Sequence, residues 1–326
     1  MSTDDTTNAI RGSASADSSP EQLRSTASTA STPGATRRRP CDVIQNGGVA
    51  PRARVGPNRE QLAEIPSIDE AITQFEKQFF PGQPKSLSGI ALRSFLVGIV
   101  LTISMFATFY LFFVTDSIFW RIPFFISSLA IFHFLEFWTT ARYNTPEASI
   151  SSFLFSGNGS AYNIAHSAAV TEFLITNTFF PNGSSYRIFG LQVPPSISLF
   201  SSRTQNIILV LGLILIILGQ TIRSVAMVQA GRSFNHIVQF TRSRTHTLVT
   251  TGLYAWLRHP SYFGFFWWGL GTQMVLGNFY CFWGYTLVLW MFFHRRIKGE
   301  EALLIKFFGD EYVQYRQVSW VGIPFI

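Results

Sequence analysis

The chain has 326 residues, of which 47% are hydrophobic and only 13% are charged. Soluble domains carry about 25% charged residues, so this composition argues against a soluble protein and indicates a membrane protein. Residues 1–88 hold ten basic and ten acidic residues, so the net charge of +7 belongs to the rest of the chain. That distribution favours a membrane surface over nucleic acid as the partner of the positive charge.

Residues 1–85 are predicted to form a polar, mostly disordered tail that precedes a membrane domain at residues 86–326. The first 35 residues are rich in Ser, Thr and Ala, and such a stretch cannot bury enough apolar surface to offset the entropy of ordering it. Within the tail, Ser67–Phe80 has the pattern of a short amphipathic helix. The triplet Arg37–Arg39 either binds anionic lipid or is simply solvated.

Six apolar segments are predicted to span a membrane, for which a helix needs about 20 residues. The last two come from His259–His294, which contains no Asp, Glu, Lys or Arg and has a turn signal, Gly277-Asn278, in its middle. The predicted fold class is therefore an all-α integral membrane protein of about six transmembrane helices, the last two of which form a helical hairpin. The predicted spans are Ser94–Thr115, Ser117–Ala141, Ala161–Phe180, Thr204–Ile222, Ser261–Leu276 and Tyr280–His294.

Basic residues concentrate on one predicted side of the membrane. The stretch 230–259 between the fourth and fifth spans carries four arginines, and Arg295, Arg296 and Lys298 follow the sixth span. Because basic loops stay on the cytoplasmic side, we expect both termini and the segment 231–260 to face the cytosol.

Two acidic residues, Glu136 and Glu172, fall inside predicted spans, where a charge is costly. We expect both side chains to face the interior of the helix bundle in a structural role. His133 and Arg223 are the candidate partners of Glu136.

Residues suited to chemistry concentrate after Arg223, and the segment Arg258–Tyr262 stands out among them. Pro260 fits the first turn of a helix, so the fifth span is predicted to start there and to present free N–H groups that can hold an anion. The alternative interpretation is that His259 and Pro260 merely cap this helix.

Arg296 and Glu300 lie four residues apart, on one face of a helix just past the last span. A guanidinium suits a carboxylate substrate and a carboxylate suits a cofactor ammonium, although an ordinary surface ion pair has the same spacing. Both residues share the predicted membrane depth of His259, which favours a functional site at the cytosolic face. His236 and His246 lack the companions of a metal site, so no metal is predicted.

Three runs of sequence resemble a known family. They are GQTIRSVAMVQAGRSFNHIVQF from Gly219, HTLVTTGLYAWLRHPSYFGFFWWGLGTQ from His246, and RRIKGEEALLIKFFGDEYVQYRQVSWVGIPFI from Arg295. With HFLEFW at His133–Trp138, they closely resemble the protein-S-isoprenylcysteine O-methyltransferase family over about Leu92–Ile326. The RHPSY element alone is shared with other membrane methyltransferases and some membrane sterol reductases, whereas the combination is specific.

The resemblance implies a cofactor, partners, a location and a site. The cofactor is S-adenosylmethionine, and the partners are the lipid bilayer and prenylated CaaX proteins that end in a farnesyl or geranylgeranyl cysteine, with no nucleic acid. The location is the endoplasmic reticulum membrane, with the termini and the active site facing the cytosol. The implied substrate-binding residue is Arg296. The residues implied to bind the cofactor are Gln239, His246, Thr247, Leu248, Val249, Tyr254, His259, Pro260, Ser261, Tyr262 and Glu300.

The implied reaction is methyl esterification of the isoprenylcysteine carboxylate. A carboxylate is ionised at pH 7, so no residue is expected to act as acid or base, and the enzyme contributes mainly alignment. Three other functions stay open from the residues alone: methyl transfer to phospholipid amines, NADPH-dependent sterol reduction, and transport or scaffolding through the intramembrane acids. Arg296 argues against phospholipid amines because it would repel an ammonium-bearing substrate.

Overall fold

The computed structural model describes residues 67–155, 159–180, 186–188, 191–193, 202–242 and 246–326, and within this part of the chain most residues are helical. The bounds are α1 Ile68–Lys77, α2 Leu87–Phe109, α3 Arg121–Tyr143, α4 Gly159–Phe179, β1 Tyr186–Ile188, β2 Leu191–Val193, α5 Ser202–Ala230, α6 Pro260–Leu276, α7 Tyr280–Phe308 and α8 Asp310–Val318. Strands β1 and β2 pair antiparallel between α4 and α5. The helical prediction is confirmed apart from this short hairpin, which was not predicted.

Three helical segments of the described chain are long and apolar enough to cross a membrane. They are Leu87–Val114, which joins α2 to a π-helical turn, Ile118–Tyr143 and Arg203–Ser233. They coincide with the predicted first, second and fourth spans. Helices α4, α6 and α7 form at the other three predicted spans, so six long helices are confirmed, whereas six membrane crossings remain a prediction.

The predicted amphipathic helix at Ser67–Phe80 is confirmed by α1. The first span begins at α2, where the buried Ser86 caps the helix by accepting a hydrogen bond from the N–H of Gly89 at 3.2 Å. Residues 1–66, which include the triplet Arg37–Arg39 and most of the predicted tail, lie outside the described residues.

Helices α5 and α6 pack with their backbones in contact because glycines face one another where the helices meet. A Cβ atom added to Gly219 would lie 2.6 Å from the carbonyl oxygen of Gly264, and one added to Gly271 would lie 2.8 Å from that of Gly212. The two glycines of each helix are seven residues apart, or about two turns, which keeps them on one face. Small residues commonly allow such close packing of membrane helices. The close packing brings the first turn of α6 next to Arg223 on α5.

The turn between α6 and α7 falls at the predicted Gly277, which has a φ of 79° and ends α6 in the left-handed conformation. The carboxylate of Glu172 accepts hydrogen bonds from the backbone N–H groups of Phe279 and Cys281, at 2.7 and 2.6 Å. A carboxylate at this position satisfies N–H groups that have no partner within the helix. The structural role of Glu172 is therefore that of a cap for α7.

Glu136 is 1% exposed and forms a two-point ion pair with Arg223 on α5. The Nε atom of Arg223 donates to one carboxylate oxygen and Nη2 donates to the other, to which His236 Nε2 also donates at 2.9 Å. The prediction that Arg223 is the partner of Glu136 is confirmed. The prediction that His133 is a hydrogen-bond partner of Glu136 was wrong, because its Nδ1 donates to the backbone carbonyl of Phe153 instead.

Arg223 connects this ion pair to the start of α6. Its Nη1 atom donates to the hydroxyl and to the carbonyl oxygen of Ser261, at 3.0 and 3.2 Å. Its guanidinium lies over the rings of Phe132 and Phe265, 5.3 and 5.1 Å from their centres. Aromatic faces attract cations, so a single buried arginine holds α3, α5 and α6 together.

Replacing Glu136 by Gln should lower the free energy of unfolding by about 3–5 kcal/mol, because Arg223 would stay buried without a counter-charge. The two side chains have nearly the same size, so the effect would be electrostatic. The measurement is unfolding of the purified protein in detergent. The matched control is Glu147→Gln at an exposed position, which should change the free energy by less than about 0.5 kcal/mol. Equal stability of the two variants would show that the ion pair does not hold the fold together.

Candidate functional site

Several segments meet at one end of the helix bundle and are pinned there by hydrogen bonds. The Tyr254 hydroxyl donates to the carbonyl of Ala226 near the end of α5, at 3.3 Å, and the Tyr315 hydroxyl donates to the carbonyl of Tyr254 at 2.6 Å. Arg242 donates to the carbonyl of Phe307 near the end of α7, at 2.7 Å. The two basic segments therefore lie at the same end of the bundle, as their predicted depth required.

The first turn of α6 is fixed from both directions. Pro260 is the first helical residue and His259 precedes it, so the predicted start of this helix is confirmed. The N–H of Arg258 donates to the carbonyl of Trp320 at 2.8 Å, and the N–H of Trp320 donates to the carbonyl of Trp256 at 2.9 Å. This short parallel pairing ties the entry into α6 to the C-terminal segment that follows α8.

A cavity opens beside this first turn, and ten of the eleven residues predicted to bind a cofactor line it. They come from a loop, a 3₁₀ turn, the start of α6 and the far part of α7, which are separated by up to 54 positions in the chain. The ten residues are His246, Thr247, Leu248, Val249, Tyr254, His259, Pro260, Ser261, Tyr262 and Glu300.

The eleventh predicted residue, Gln239, does not line the cavity. It is exposed, and its amide nitrogen donates to the carbonyl of Ile237 in its own loop, at 3.2 Å. Leu304 and Phe308 follow Glu300 at intervals of one turn along α7, a spacing that sequence reasoning missed. The lining residues that were not predicted are Ala230, Ser233, Phe234, Asn235, Arg258, Leu304, Phe308, Tyr312 and Tyr315.

One buried polar atom of a residue that lines the cavity, the hydroxyl of Tyr312, has no partner among the described residues. The Nε2 atom of His259 forms no hydrogen bond by geometry, but it lies 3.4 Å from the carboxylate of Glu301, which is its ionic partner. Burial raises the pKa of Tyr312, so its hydroxyl stays protonated and can donate at neutral pH. Because buried polar atoms nearly always have partners, the cavity has unused capacity for a polar ligand.

The hydroxyl of Tyr262 bridges Arg296 and Glu300, the two residues that were paired by their spacing of four. It donates to Glu300 Oε2 at 2.6 Å and accepts from Arg296 Nε at 2.9 Å. The ring of His259 stacks on that of Tyr262, with centres 5.4 Å apart. No direct ion pair between Arg296 and Glu300 occurs among the described residues. The alternative interpretation, an ordinary surface ion pair between them, is therefore wrong.

Arg296 is held from a second direction by His236. Its Nη2 atom donates to the backbone carbonyl of His236, and its guanidinium lies over the rings of Tyr262 and Phe292. The imidazole of His236 donates to Glu136, so His236 connects the ion pair of Glu136 and Arg223 to Arg296. Within the described chain, Nη1 of Arg296 makes no hydrogen bond.

The second glutamate of the pair, Glu301, does not line the cavity but is the centre of a charged cluster, two members of which, Arg258 and His259, do line it. Its Oε1 atom accepts from Arg258 at 2.5 Å and lies 3.4 Å from His259 Nε2, and Arg316 approaches Oε2 at 3.4 Å. Burial opposes the ionisation of Glu301, but its contacts with His259 and Arg258 outweigh burial and lower the pKa of its carboxyl to about 2. The consecutive glutamates thus differ in role: Glu300 faces the cavity and Glu301 supports it.

Comparison with known proteins gives consistent similarities. Residues 210–306, which include all ten predicted residues at the cavity, match the isoprenylcysteine carboxyl methyltransferase (ICMT) family. The chain is 45% identical to protein-S-isoprenylcysteine O-methyltransferase of Saccharomyces cerevisiae over 202 residues, which cover 62% of this chain and 79% of the yeast protein. It is 37% identical to the human protein of that name over 237 residues, which cover 73% of this chain and 75% of the human protein.

A solved structure is also similar. It is that of the eukaryotic intramembrane Ras methyltransferase ICMT, and the two structures superpose with a TM-score of 0.63 at 34% identity. The match covers 81% of this chain and 88% of the other, so it includes most of the helices described above.

The contacts of Glu301 should make the free energy of unfolding depend on pH. The folded-state pKa of about 2 lies below the ordinary value of 4.5, so the stabilisation is complete above about pH 5 and disappears as the pH falls towards 2. Glu301→Gln should cost about 3 kcal/mol at pH 7, at about 1.4 kcal/mol for each pKa unit. Melting temperatures between pH 7 and pH 3 should converge for the two proteins. Parallel curves, such as we expect for the exposed control Glu311→Gln, would contradict the assignment.

Proposed function

The chain belongs to the isoprenylcysteine carboxyl methyltransferase family, and from this premise we propose that it methyl-esterifies the C-terminal isoprenylcysteine of CaaX-processed proteins, with S-adenosylmethionine as donor. The observation that carries the proposal is the hydrogen-bonded series Arg296–Tyr262–Glu300 beside the cavity. In this series the guanidinium of Arg296 suits a carboxylate and the carboxylate of Glu300 suits an ammonium. The Tyr262 hydroxyl lies between them.

The residues at the cavity fit a nucleoside that carries an amino-acid group and a sulfonium. Glu300 would bind the ammonium, since its Oε1 atom makes no hydrogen bond among the described residues. The unpaired Tyr312 hydroxyl would gain a partner from a polar part of the ligand. The rings of Tyr262 and Phe308 line the same space and attract a cation. When bound, S-adenosylmethionine supplies an electrophilic methyl group.

Arg296 would bind the substrate carboxylate through Nη1, the nitrogen that the described protein leaves unpaired. Its other two nitrogens donate to Tyr262 and His236, which fixes the plane of the guanidinium before a substrate arrives. A carboxylate is already ionised at pH 7, so no residue has to remove a proton. Orientation is then the main task of the protein, and correct alignment contributes up to about 7–11 kcal/mol in favourable cases.

The surroundings of Arg296 suit a lipid-modified substrate. Ile237 and Phe240 are 71% and 74% exposed on the loop whose His236 carbonyl contacts Arg296, and Phe292 is 51% exposed one turn before it. Exposed apolar side chains beside a cationic group offer contact to a prenyl chain while the carboxylate is held. We place the substrate tail in the membrane and the carboxylate at the cytosolic surface of the endoplasmic reticulum membrane, where the positive-inside rule puts the basic segments.

Membranes that contain the protein should methylate N-acetyl-S-farnesylcysteine and leave N-acetylcysteine unmodified, because the apolar surface beside Arg296 has nothing to bind in the latter. The measurement is the transfer of labelled methyl from S-adenosylmethionine, with membranes lacking the protein as control. Phosphatidylethanolamine should accept no methyl in the same assay. Equal methylation of the two cysteine derivatives would overturn the proposed substrate class.

Arg296→Lys should reduce turnover on the order of 100-fold, since Lys keeps the charge but loses the planar orientation. Donor affinity should change little in this variant, because the donor contacts are assigned to Glu300 and to the residues at the cavity. Glu300→Ala should show the reverse and weaken donor binding first. The measurements are donor binding by calorimetry and prenylcysteine turnover on the same preparations.

The neighbouring Arg295 provides the matched control, because it is exposed and makes no hydrogen bond among the described residues. Arg295→Lys should match the parent in both measurements. If Arg296→Lys kept normal turnover, or lost donor binding as severely as Glu300→Ala, then Arg296 would not bind the carboxylate.

A further inference from the structure

Helix α1 is specified by its own sequence and yet has no partner among the described residues. Ser67 and Glu70 form a reciprocal cap, in which the Glu70 N–H donates to the Ser67 hydroxyl at 3.2 Å and the Ser67 N–H donates to the Glu70 carboxylate at 3.0 Å. No residue of α1 is buried. Helices of ten residues are only marginally stable in water, so another surface is needed to stabilise this one.

The apolar residues of α1 form a stripe. Ile68, Ile72 and Phe75 follow one another at helical intervals of four and three residues and are 80%, 50% and 62% exposed. The ring of Phe79, just beyond the helix, packs edge-on against Phe75 with centres 5.4 Å apart. Thr73 and the four charged residues Asp69, Glu70, Glu76 and Lys77 lie outside the stripe, as expected from a repeat of 3.6 residues.

The chain after α1 is hydrogen-bonded to the start of the first membrane span. The N–H of Leu87, the first residue of α2, donates to the carbonyl of Phe79 at 3.3 Å, and Pro84 accepts from the N–H of Ile150 at 2.8 Å. The end of α1 is therefore tied to the end of a membrane span. Beyond that point Leu92 and Phe95 are exposed on α2, so the membrane span that follows α1 has exposed apolar side chains near its start.

We propose that α1 lies in the plane of the membrane surface, with its apolar stripe inserted at the boundary between headgroups and acyl chains. Its length of about 15 Å is half of what is needed to cross the membrane. The helix can therefore bury its apolar stripe only at the membrane surface. Three acidic residues and one lysine give the helix a net charge of −2. Apolar insertion, and not attraction to anionic lipid, therefore holds it at the surface.

The test uses the full chain with Cys41→Ser and Cys281→Ser and a single new cysteine on either side of α1. Ile72→Cys lies on the stripe, and Thr73→Cys is its matched control on the polar side. Each variant carries an environment-sensitive nitrobenzoxadiazole label in phosphatidylcholine nanodiscs. Spin-labelled acyl chains should quench the label at position 72 at least about threefold more than that at position 73, as expected for insertion by about 5–10 Å. Aqueous iodide should show the opposite order.

Three results would overturn the proposal. Equal access of iodide to both labels would leave the stripe in water. Protection of position 72 from iodide without quenching by the lipid would mean that protein covers it, either another part of this chain or a second copy. Stronger quenching after addition of anionic phosphatidylserine would show that charge attraction holds the helix. Phe75→Cys, one turn further along the stripe, repeats the measurement if the label at position 72 disturbs the helix.

Discussion

The ion pair of Glu136 and Arg223 is the interaction on which the arrangement of the site depends. Two charges inside a membrane domain are tolerated when each satisfies the other and their remaining hydrogen-bonding groups also find partners. Here those partners belong to the candidate site or contact it. Arg223 holds Ser261 at the start of α6, and Glu136 holds the imidazole of His236, whose carbonyl holds Arg296. The hydrogen bonds that satisfy these buried charges therefore also position Ser261 and Arg296.

This arrangement requires that α5 and α6 approach closely. The facing glycines remove the side chains that would separate the two backbones, and the gap between Gly219 and Gly264 has no room for even one methyl group. Arg223 follows Gly219 by one turn on α5, so its guanidinium reaches the first turn of α6 directly. The packing of the helices and the position of the site are thus set by the same contact.

Sequence reasoning predicted what depends on local pattern and on the family resemblance. Apolar length predicted the long helices, Pro260 the start of α6 and Gly277 its end, while the resemblance supplied ten of the eleven predicted residues at the cavity. The links through His236 were missed because His236 lies in a loop outside the predicted spans, so the search for a partner of Glu136 inside the membrane led to Arg223 at the end of the fourth span and not to His236. Gln239 does not line the cavity because the conformation of its loop turns its amide towards Ile237, and its role in cofactor binding stays a prediction.

The position of Tyr262 is consistent with the proposal that two ligands of opposite charge bind side by side. A direct ion pair between Arg296 and Glu300 would neutralise both groups, and each ligand would then have to break that pair before it could bind. The intervening hydroxyl donates to the carboxylate and accepts from the guanidinium, so each group is oriented without losing its charge. Arg296 keeps Nη1 for an anion, and Glu300 keeps Oε1 for a cation. Tyr262 therefore holds the two charges in place while leaving both available, which is what the proposed transfer between an ammonium-bearing donor and a carboxylate acceptor requires.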